Sequence, residues 1–385
     1  MHTAARMADI GPFHVMDLMA RAKALEAQGR DVVHMEVGEP DFPTPAPIIA
    51  AAQRFVAGGE VFYTNALGLP SLREAIARFY AQRHGVSVDP ERIVVTAGAS
   101  GALLLALGTL IDPGDEVLLA DPGYPCNRHF VRMCEGRARA IPVDAASDYQ
   151  PTPEQAAAHW TPRTRALMVA SPSNPTGTLL DLPRLAALRE VVRQRGGALI
   201  VDEIYHGLTY GVDASTALAL GDDCFVINSF SKYFGMTGWR LGWMVVPQGF
   251  VRDVEKLAQN LYISPSTPAQ HAALAAFEPA TIRLLEARRA EFQARRDLLL
   301  PGLRALGFEV GAEPLGAFYV YAGIGGLADD SYRFALDLID RAAVAATPGL
   351  DFGSNAPERH MRFAYTVRQE RLAEGLERIR RFLGA

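Results

Sequence analysis

Six short runs rich in Val, Ile and Leu, at residues 93–96, 116–119, 166–170, 198–201, 225–228 and 241–246, punctuate the middle of the chain. Longer helical patterns at 101–110, 153–160 and 182–195 lie between them. Strands that are apolar throughout need cover on both faces, and helices between successive strands make crossover connections. The pattern therefore predicts an α/β domain built on a mainly parallel sheet covered by helices.

After Phe250 the pattern changes. A long helical stretch at 281–306, broken or ended by Pro301, is followed by short strands at 317–321 and 362–364 and an amphipathic helix at 369–383. These predict a smaller α+β layer, whose first piece is an N-terminal helix at 16–28 stopped by Gly29. A chain of 385 residues exceeds one simple core. Residues 1–44 are expected to form an arm and helix packing with the small domain, 45–275 the large domain, and 276–385 the small C-terminal domain.

The formal net charge is -5, and the arginines are scattered among carboxylates, so nothing marks a nucleic-acid partner. The first twenty residues mix His2, Arg6, Asp9, His14 and Asp17 into their apolar positions, unlike a secretion signal. No segment approaches the roughly 20 apolar residues that cross a bilayer, so no membrane partner is expected. Cys126, Cys134 and Cys224 form no CxxC pair and read as free thiols in a reducing, cytoplasmic protein.

Lysine is nearly absent. Lys23, Lys232 and Lys256 stand among 38 basic residues, and the other 35 are arginine. A general demand for positive charge cannot explain Lys232 in Ser229-Phe230-Ser231-Lys232. Arginine stays protonated, whereas a partly desolvated lysine can lose its proton and attack a carbonyl, so this placement suggests a Schiff-base lysine; a loop lysine in solvent is the alternative.

In an open parallel sheet, ligands collect at the carboxyl ends of the strands. Four loops converge on that edge: Ala97-Gly98-Ala99-Ser100-Gly101, Ser171 to Gly177, Asp202-Glu203-Ile204-Tyr205 and Ser229 to Lys232. The small residues 98–101 would expose amides at a helix N-terminus, suited to phosphate or simply to tight packing. Asp202 at a buried strand end needs a cationic or hydrogen-bonding partner, or serves as a cap. Arg240 could grip an anion bidentately or be a surface charge. Arg362, between Met361 and Phe363 in an apolar strand, needs a partner.

Taken together, Asp202-x-x-Tyr205, Ser173-Asn174-Pro175-Thr176-Gly177, Ser229-x-Ser231-Lys232 and Gly238-Trp239-Arg240 resemble the class I and II aminotransferases, enzymes of fold type I that carry pyridoxal 5'-phosphate (PLP). The resemblance begins at Gly38-Glu39-Pro40-Asp41-Phe42, continues through Tyr63 to Gly68, and ends at Met361-Arg362-Phe363.

What the resemblance implies is chemically coherent. Lys232 would hold the cofactor as an internal aldimine and then move the proton between substrate Cα and cofactor. Asp202 would keep the pyridine nitrogen protonated, so that the ring accepts electrons. Tyr205 and Asn174 would bond its phenolic oxygen, and Tyr124 would stack on the ring. Ala99, Ser100, Ser229 and Arg240 would hold the phosphate, joined by Tyr63 from the other subunit of a homodimer. Arg362, helped by Asn174 and Gly38, would clamp the substrate α-carboxylate.

Some aspartate-preferring relatives are similar to one another in having a lysine where this chain has Ser100, and Arg128 is a possible substitute cation. Phe13, His14, Val15 and Met16 are expected near the pocket mouth. Neutral, apolar or aromatic donors are therefore expected, with 2-oxoglutarate or pyruvate as acceptor. The alternatives are a carbon-sulfur β-lyase on the same scaffold and a regulator's cofactor-binding module. The segment ahead of Gly38 leaves no room for a DNA-binding region, which argues against the regulator.

Overall fold

Apart from one edge strand, the strands that build the larger sheet are buried almost without interruption, as a sheet with two covered faces requires. A computed structural model describes residues 1–384. Within them the strands are β1 (Val33–Met35), β2 (Ile93–Thr96), β3 (Glu116–Asp121), β4 (Arg137–Pro142), β5 (Thr164–Ala170), β6 (Ala198–Asp202), β7 (Cys224–Ser229), β8 (Gly242–Val245), β9 (Tyr319–Gly323), β10 (Val344–Pro348) and β11 (His360–Ala364).

Seven of them form one sheet in the order β2-β8-β7-β6-β5-β3-β4. Its pairings are parallel from β7 through β4, while β8 runs antiparallel to both β7 and β2. The reversal follows from the connection. Between β7 and β8 lies a loop with one short 3-10 turn, Thr237–Trp239, too little for a crossover but enough for an antiparallel return. That loop carries Lys232. β4 is an edge strand of mixed Arg and Ala, largely exposed, and its polarity hid it from a reading based on apolar runs.

The helix Gly98–Leu110 is apolar all round because it is covered all round: Ala102, Leu103, Leu105, Ala106 and Leu107 are buried. The second sheet has the order β1-β10-β11-β9, with β1 parallel to β10 and the other pairs antiparallel. The helix His14–Ala27 packs on β10, and Gly29 follows it at φ 84°.

One expectation fails. The helix Pro279–Ala305 runs on through Pro301 instead of breaking or ending there. Pro301 lies on the exposed face, where the carbonyl that loses its hydrogen bond can turn to water. This helix also steadies the loop after β1. Arg295, almost fully buried, grips Asp41 through two bonds of 2.8 and 3.2 Å, and its guanidinium lies 4.8 Å from the Phe42 ring.

Candidate active site

The carboxyl ends of β5, β6 and β7, the start of the helix after β2 and the Gly38 loop surround a cleft of about 300 Å³. Lys232 reaches it from the β7–β8 loop. Its Nζ donates to the Gly38 carbonyl at 2.7 Å, and burial draws the amine down to about 8, against the partly opposing pull of Glu39. Such an amine is a usable nucleophile and base near neutral pH.

Asp202 ends β6 and faces the same cleft. Burial raises its carboxyl to about 6, while the Ile204 amide donates to Oδ1 at 3.0 Å. No ion pair engages it among the described residues. A buried acid with one oxygen uncommitted is suited to a cationic ring nitrogen. The Tyr205 hydroxyl lies 3.0 Å from that of Tyr319, and both residues are buried.

Arg362, on β11, is 6% exposed. Nη1 donates to Asn174 Oδ1 at 3.0 Å, and Nη2 donates to the Glu36 carbonyl at 2.6 Å and to Thr347 Oγ1 at 3.2 Å. Its guanidinium lies 4.3 Å from the Tyr319 ring centroid and 4.9 Å from that of Phe352, and Nε is buried without a partner. No carboxylate pairs with it among the described residues. A buried, oriented and uncompensated guanidinium is a receptor for an incoming carboxylate.

At the opposite end the helix Gly98–Leu110 presents its first-turn amides, which no intrahelical carbonyl can reach. Arg240 lies across them. A β-carbon on Gly98 would sit 2.7 Å from its Nη2, and one on Gly242 would sit 2.9 Å from the Ala99 nitrogen, so both glycines are required for this close approach. Arg240 Nη1 donates to the Thr237 carbonyl at 2.9 Å, with no carboxylate pairing it among the described residues. Helix amides and an unpaired guanidinium make a fitting cradle for a phosphate.

The cleft thus brings together Gly38, Ala99, Ser100, Tyr124, Asn174, Asp202, Tyr205, Lys232, Arg240 and Arg362. It does not bring in Ser229. That hydroxyl is tied to Ser231 Oγ at 2.9 Å and to the Leu241 carbonyl at 3.1 Å, and Ser231 stands on the wall in its place. Tyr63 also lies outside the cleft, 79% exposed beside Phe62, which is 73% exposed. Phe13, Val15 and Met16 line the cleft as expected, but His14 turns its ring edge to Tyr332 at 5.2 Å. The Asp351 carboxylate accepts from the His14 and Val15 amides at 2.8 and 2.9 Å, pinning the helix start in place. Tyr319, Thr347 and Phe352 are not legible as site residues, because nothing in their local sequence distinguishes them from core, and Asp351 looks there like an ordinary surface acid.

A family model described as aminotransferase class I and II matches residues 30–379. The valine–pyruvate aminotransferase of Mycobacterium tuberculosis is 38% identical over 97% of both chains. The aspartate/prephenate aminotransferase of Thermus thermophilus is 36% identical over 98% of both. Among solved structures, an aminotransferase from Mycobacterium tuberculosis matches with a TM-score of 0.96 at 38% identity, covering 100% of this chain and 99% of that one. The aspartate aminotransferase from Thermus thermophilus with maleate matches with a TM-score of 0.93 at 35% identity, covering 99% and 100%.

Proposed function

The chain belongs to the class I and II aminotransferases and has their fold type I architecture, and from that membership we propose that it moves an amino group from a neutral, apolar or aromatic L-amino acid to a 2-oxo acid. The observation that carries this reading is the buried Arg362 guanidinium, unpaired by any carboxylate among the described residues, in the same cleft as the depressed amine of Lys232. Members of the family depend on PLP, which supplies an electron sink for the bond broken at the substrate Cα.

Lys232 is the amine that would carry the cofactor and, once displaced, shuttle the proton at the substrate Cα. Its lowered basicity supports both roles. Asp202 would hold the ring nitrogen protonated. Tyr205 and Asn174 would hydrogen-bond the phenolic oxygen, and Tyr124 would lie against the ring. The amides of Ala99 and Ser100, with Arg240 and either Ser229 or its neighbour Ser231, would take the phosphate. Arg362 and Asn174, beside Gly38, would clamp the α-carboxylate and so orient the Cα bond to be broken.

Exposure of Phe62 and Tyr63 supports a homodimer in which Tyr63 reaches the phosphate of the neighbouring site. The two sheets support a division into residues 1–44 and 276–385 around β1 and β9–β11, and 45–275 around β2–β8. Free Cys126, Cys134 and Cys224 suit a cytoplasmic setting. Among the described residues no helix is long and apolar enough to cross a membrane.

For the donor, Phe13, Val15, Met16, Met19 and Leu103 give the cleft an apolar wall, and Ser100 supplies no cation. A relative named for valine and pyruvate is in keeping with this, while one named for aspartate and prephenate is a reason to test it. The PLP-loaded protein should be yellow, and a true donor should bleach it in the absence of any oxo acid. Steady release of pyruvate and ammonia from cystathionine without an acceptor would favour the β-lyase instead. A kcat/KM for aspartate at least tenfold above those for leucine, methionine and phenylalanine would overturn the donor preference.

A further inference from the structure

The helix His14–Ala27 begins without a cap of its own. Phe13 holds the N-cap position with an extended backbone, φ -84° and ψ 119°, and its side chain makes no capping bond. Serine, threonine, asparagine or aspartate is the usual choice there, because a side-chain oxygen can accept the first amides of the helix. Here the position is given to a ring that lines the cleft, with Val15, Met16 and Met19 of the same helix beside it. A wall residue stands where a cap would.

The missing acceptor comes from Asp351, 337 residues from His14 in sequence and only 3% exposed. Both of its oxygens are committed: Oδ1 accepts the His14 amide at 2.8 Å and Oδ2 the Val15 amide at 2.9 Å. No cation pairs with the carboxylate among the described residues, so the positive end of the helix is what compensates its charge.

The turn that carries Asp351 is held from several sides. The Phe352 amide donates to the Gly349 carbonyl at 2.9 Å, the Gly123 amide donates to the Phe352 carbonyl at 2.8 Å, and Arg128 Nη2 donates to the Asp351 carbonyl at 3.0 Å. A β-carbon on Gly349 would run into the Pro357 carbonyl, so the turn is closely packed. Phe352, the next residue, lies 4.9 Å from the Arg362 guanidinium. Two neighbouring residues thus hold two parts of the cleft: Asp351 the start of the apolar wall, Phe352 the carboxylate receptor.

We propose that Asp351 is a positioning residue for donor specificity: by capping the helix from the turn that also supports Arg362, it fixes the apolar wall relative to the α-carboxylate receptor. With both oxygens spent on amides it acts through Phe13, Val15 and Met16, which would otherwise sit on a fraying helix start. A donor with a long apolar side chain depends on that wall, whereas alanine has little to place against it. The inference rests on the aminotransferase reading.

The test compares leucine with alanine as donors to the PLP-loaded enzyme. Asp351→Asn keeps the shape but puts an NH2 group where one helix amide needs an acceptor. The ratio of kcat/KM for leucine to that for alanine should then fall about tenfold or more, the scale of one methylene's contact in an apolar pocket. The loss should appear as a raised KM for leucine with kcat little changed, since wall contacts are made alike before and in the transition state. Asp351→Glu, which keeps two acceptors on a longer arm, should recover part of the ratio. Without turnover, hydrogen exchange at the His14 and Val15 amides should quicken at least about tenfold in Asp351→Asn. An unchanged ratio, which includes equal losses for both donors, would overturn the proposal, and so would unchanged exchange.

Should Asp351→Asn not fold, the bond can be removed from its other end. His14→Pro deletes the amide that Oδ1 accepts, at a first helical position that suits proline and after a residue already extended, while His14→Ala keeps that amide. A lower leucine-to-alanine ratio in His14→Pro than in His14→Ala supports the proposal, and equal ratios overturn it. Failure of the underlying reading would look different: no amino acid would bleach the chromophore, yet exchange at His14 and Val15 would still respond to Asp351→Asn.

Discussion

A β-carbon placed on Gly38 would lie 2.1 Å from the hydroxyl oxygen of Tyr319. That hydroxyl is 3.0 Å from the Tyr205 hydroxyl, while the Gly38 carbonyl accepts from Lys232 at 2.7 Å. One residue without a side chain therefore sets the positions of three groups in the cleft. Gly38→Ala should displace Tyr319 and lower kcat/KM about 100-fold, the order expected for a misplacement of about 1 Å. Adding Tyr319→Phe removes the closest clash and should recover part of the loss. If the two changes were simply additive, Tyr319 would not be the group displaced.

Lys232→Ala should lower turnover by about 10²- to 10⁴-fold, the range usual for loss of a positioned acid or base. Binding of pyridoxamine 5'-phosphate, which needs no lysine linkage, should change little, because the phosphate cradle of Arg240 and the helix amides is separate from Lys232. Calorimetry and donor kinetics read the two independently. Turnover like that of the unaltered enzyme would remove Lys232 from the mechanism.

Arg362→Gln should cost about 100-fold or more in kcat/KM, as loss of a buried charge-assisted carboxylate contact does. The melting temperature should hold or rise. In the free protein the guanidinium is buried without a counter-charge, so its removal relieves a desolvation cost along with the loss of its bonds to Asn174, Glu36 and Thr347. A fall in melting temperature of more than about 8 °C would mean that the residue serves packing first.

Glu203 is fully buried, and burial pushes its carboxyl up to about 8, although it accepts from Thr216 Oγ1 at 2.9 Å and from the Ala217 amide at 2.7 Å. His206 Nδ1, 3.3 Å from it, belongs to a ring that burial draws down to about 3, so the two meet as neutral groups at neutral pH. A carboxyl raised on folding binds more protons in the native state than in the unfolded chain. Its stabilising contribution is complete below the ordinary carboxyl range and is lost as pH rises through about 8. The lowered histidine acts oppositely, losing its contribution as pH falls from the ordinary imidazole range through about 3. Glu203→Gln should therefore flatten the decline in melting temperature between about pH 4.5 and about pH 8. An unchanged slope in scanning calorimetry would count against the buried acid as its source.

The site was legible in proportion to how local its signals are. Lys232 was visible because lysine is rare, Asp202 because it ends an apolar run, and Arg362 because it interrupts one. Ser229 and Ser231 look alike in sequence, yet only the turn of the loop decides which faces the cleft. Tyr319 and Thr347 carry no local mark, since they reach Arg362 only through the pairing of β9, β10 and β11, and Phe352 meets it from the turn after β10. The edge strand β4 is too polar to stand out as an apolar run, and the tolerance of Pro301 depends on which helix face meets water.

By itself the order of residues determined the α/β layering and the strand-end position of the reactive groups, because periodicity and burial are set by backbone geometry within a few residues. Only the tertiary structure decided that Gly38 meets Tyr319, that Arg362 lies buried without a carboxylate, and that Asp351 caps the helix His14–Ala27. Those are relations between segments far apart in the chain, and they arise when two separately patterned sheets close on one another around a shared cleft.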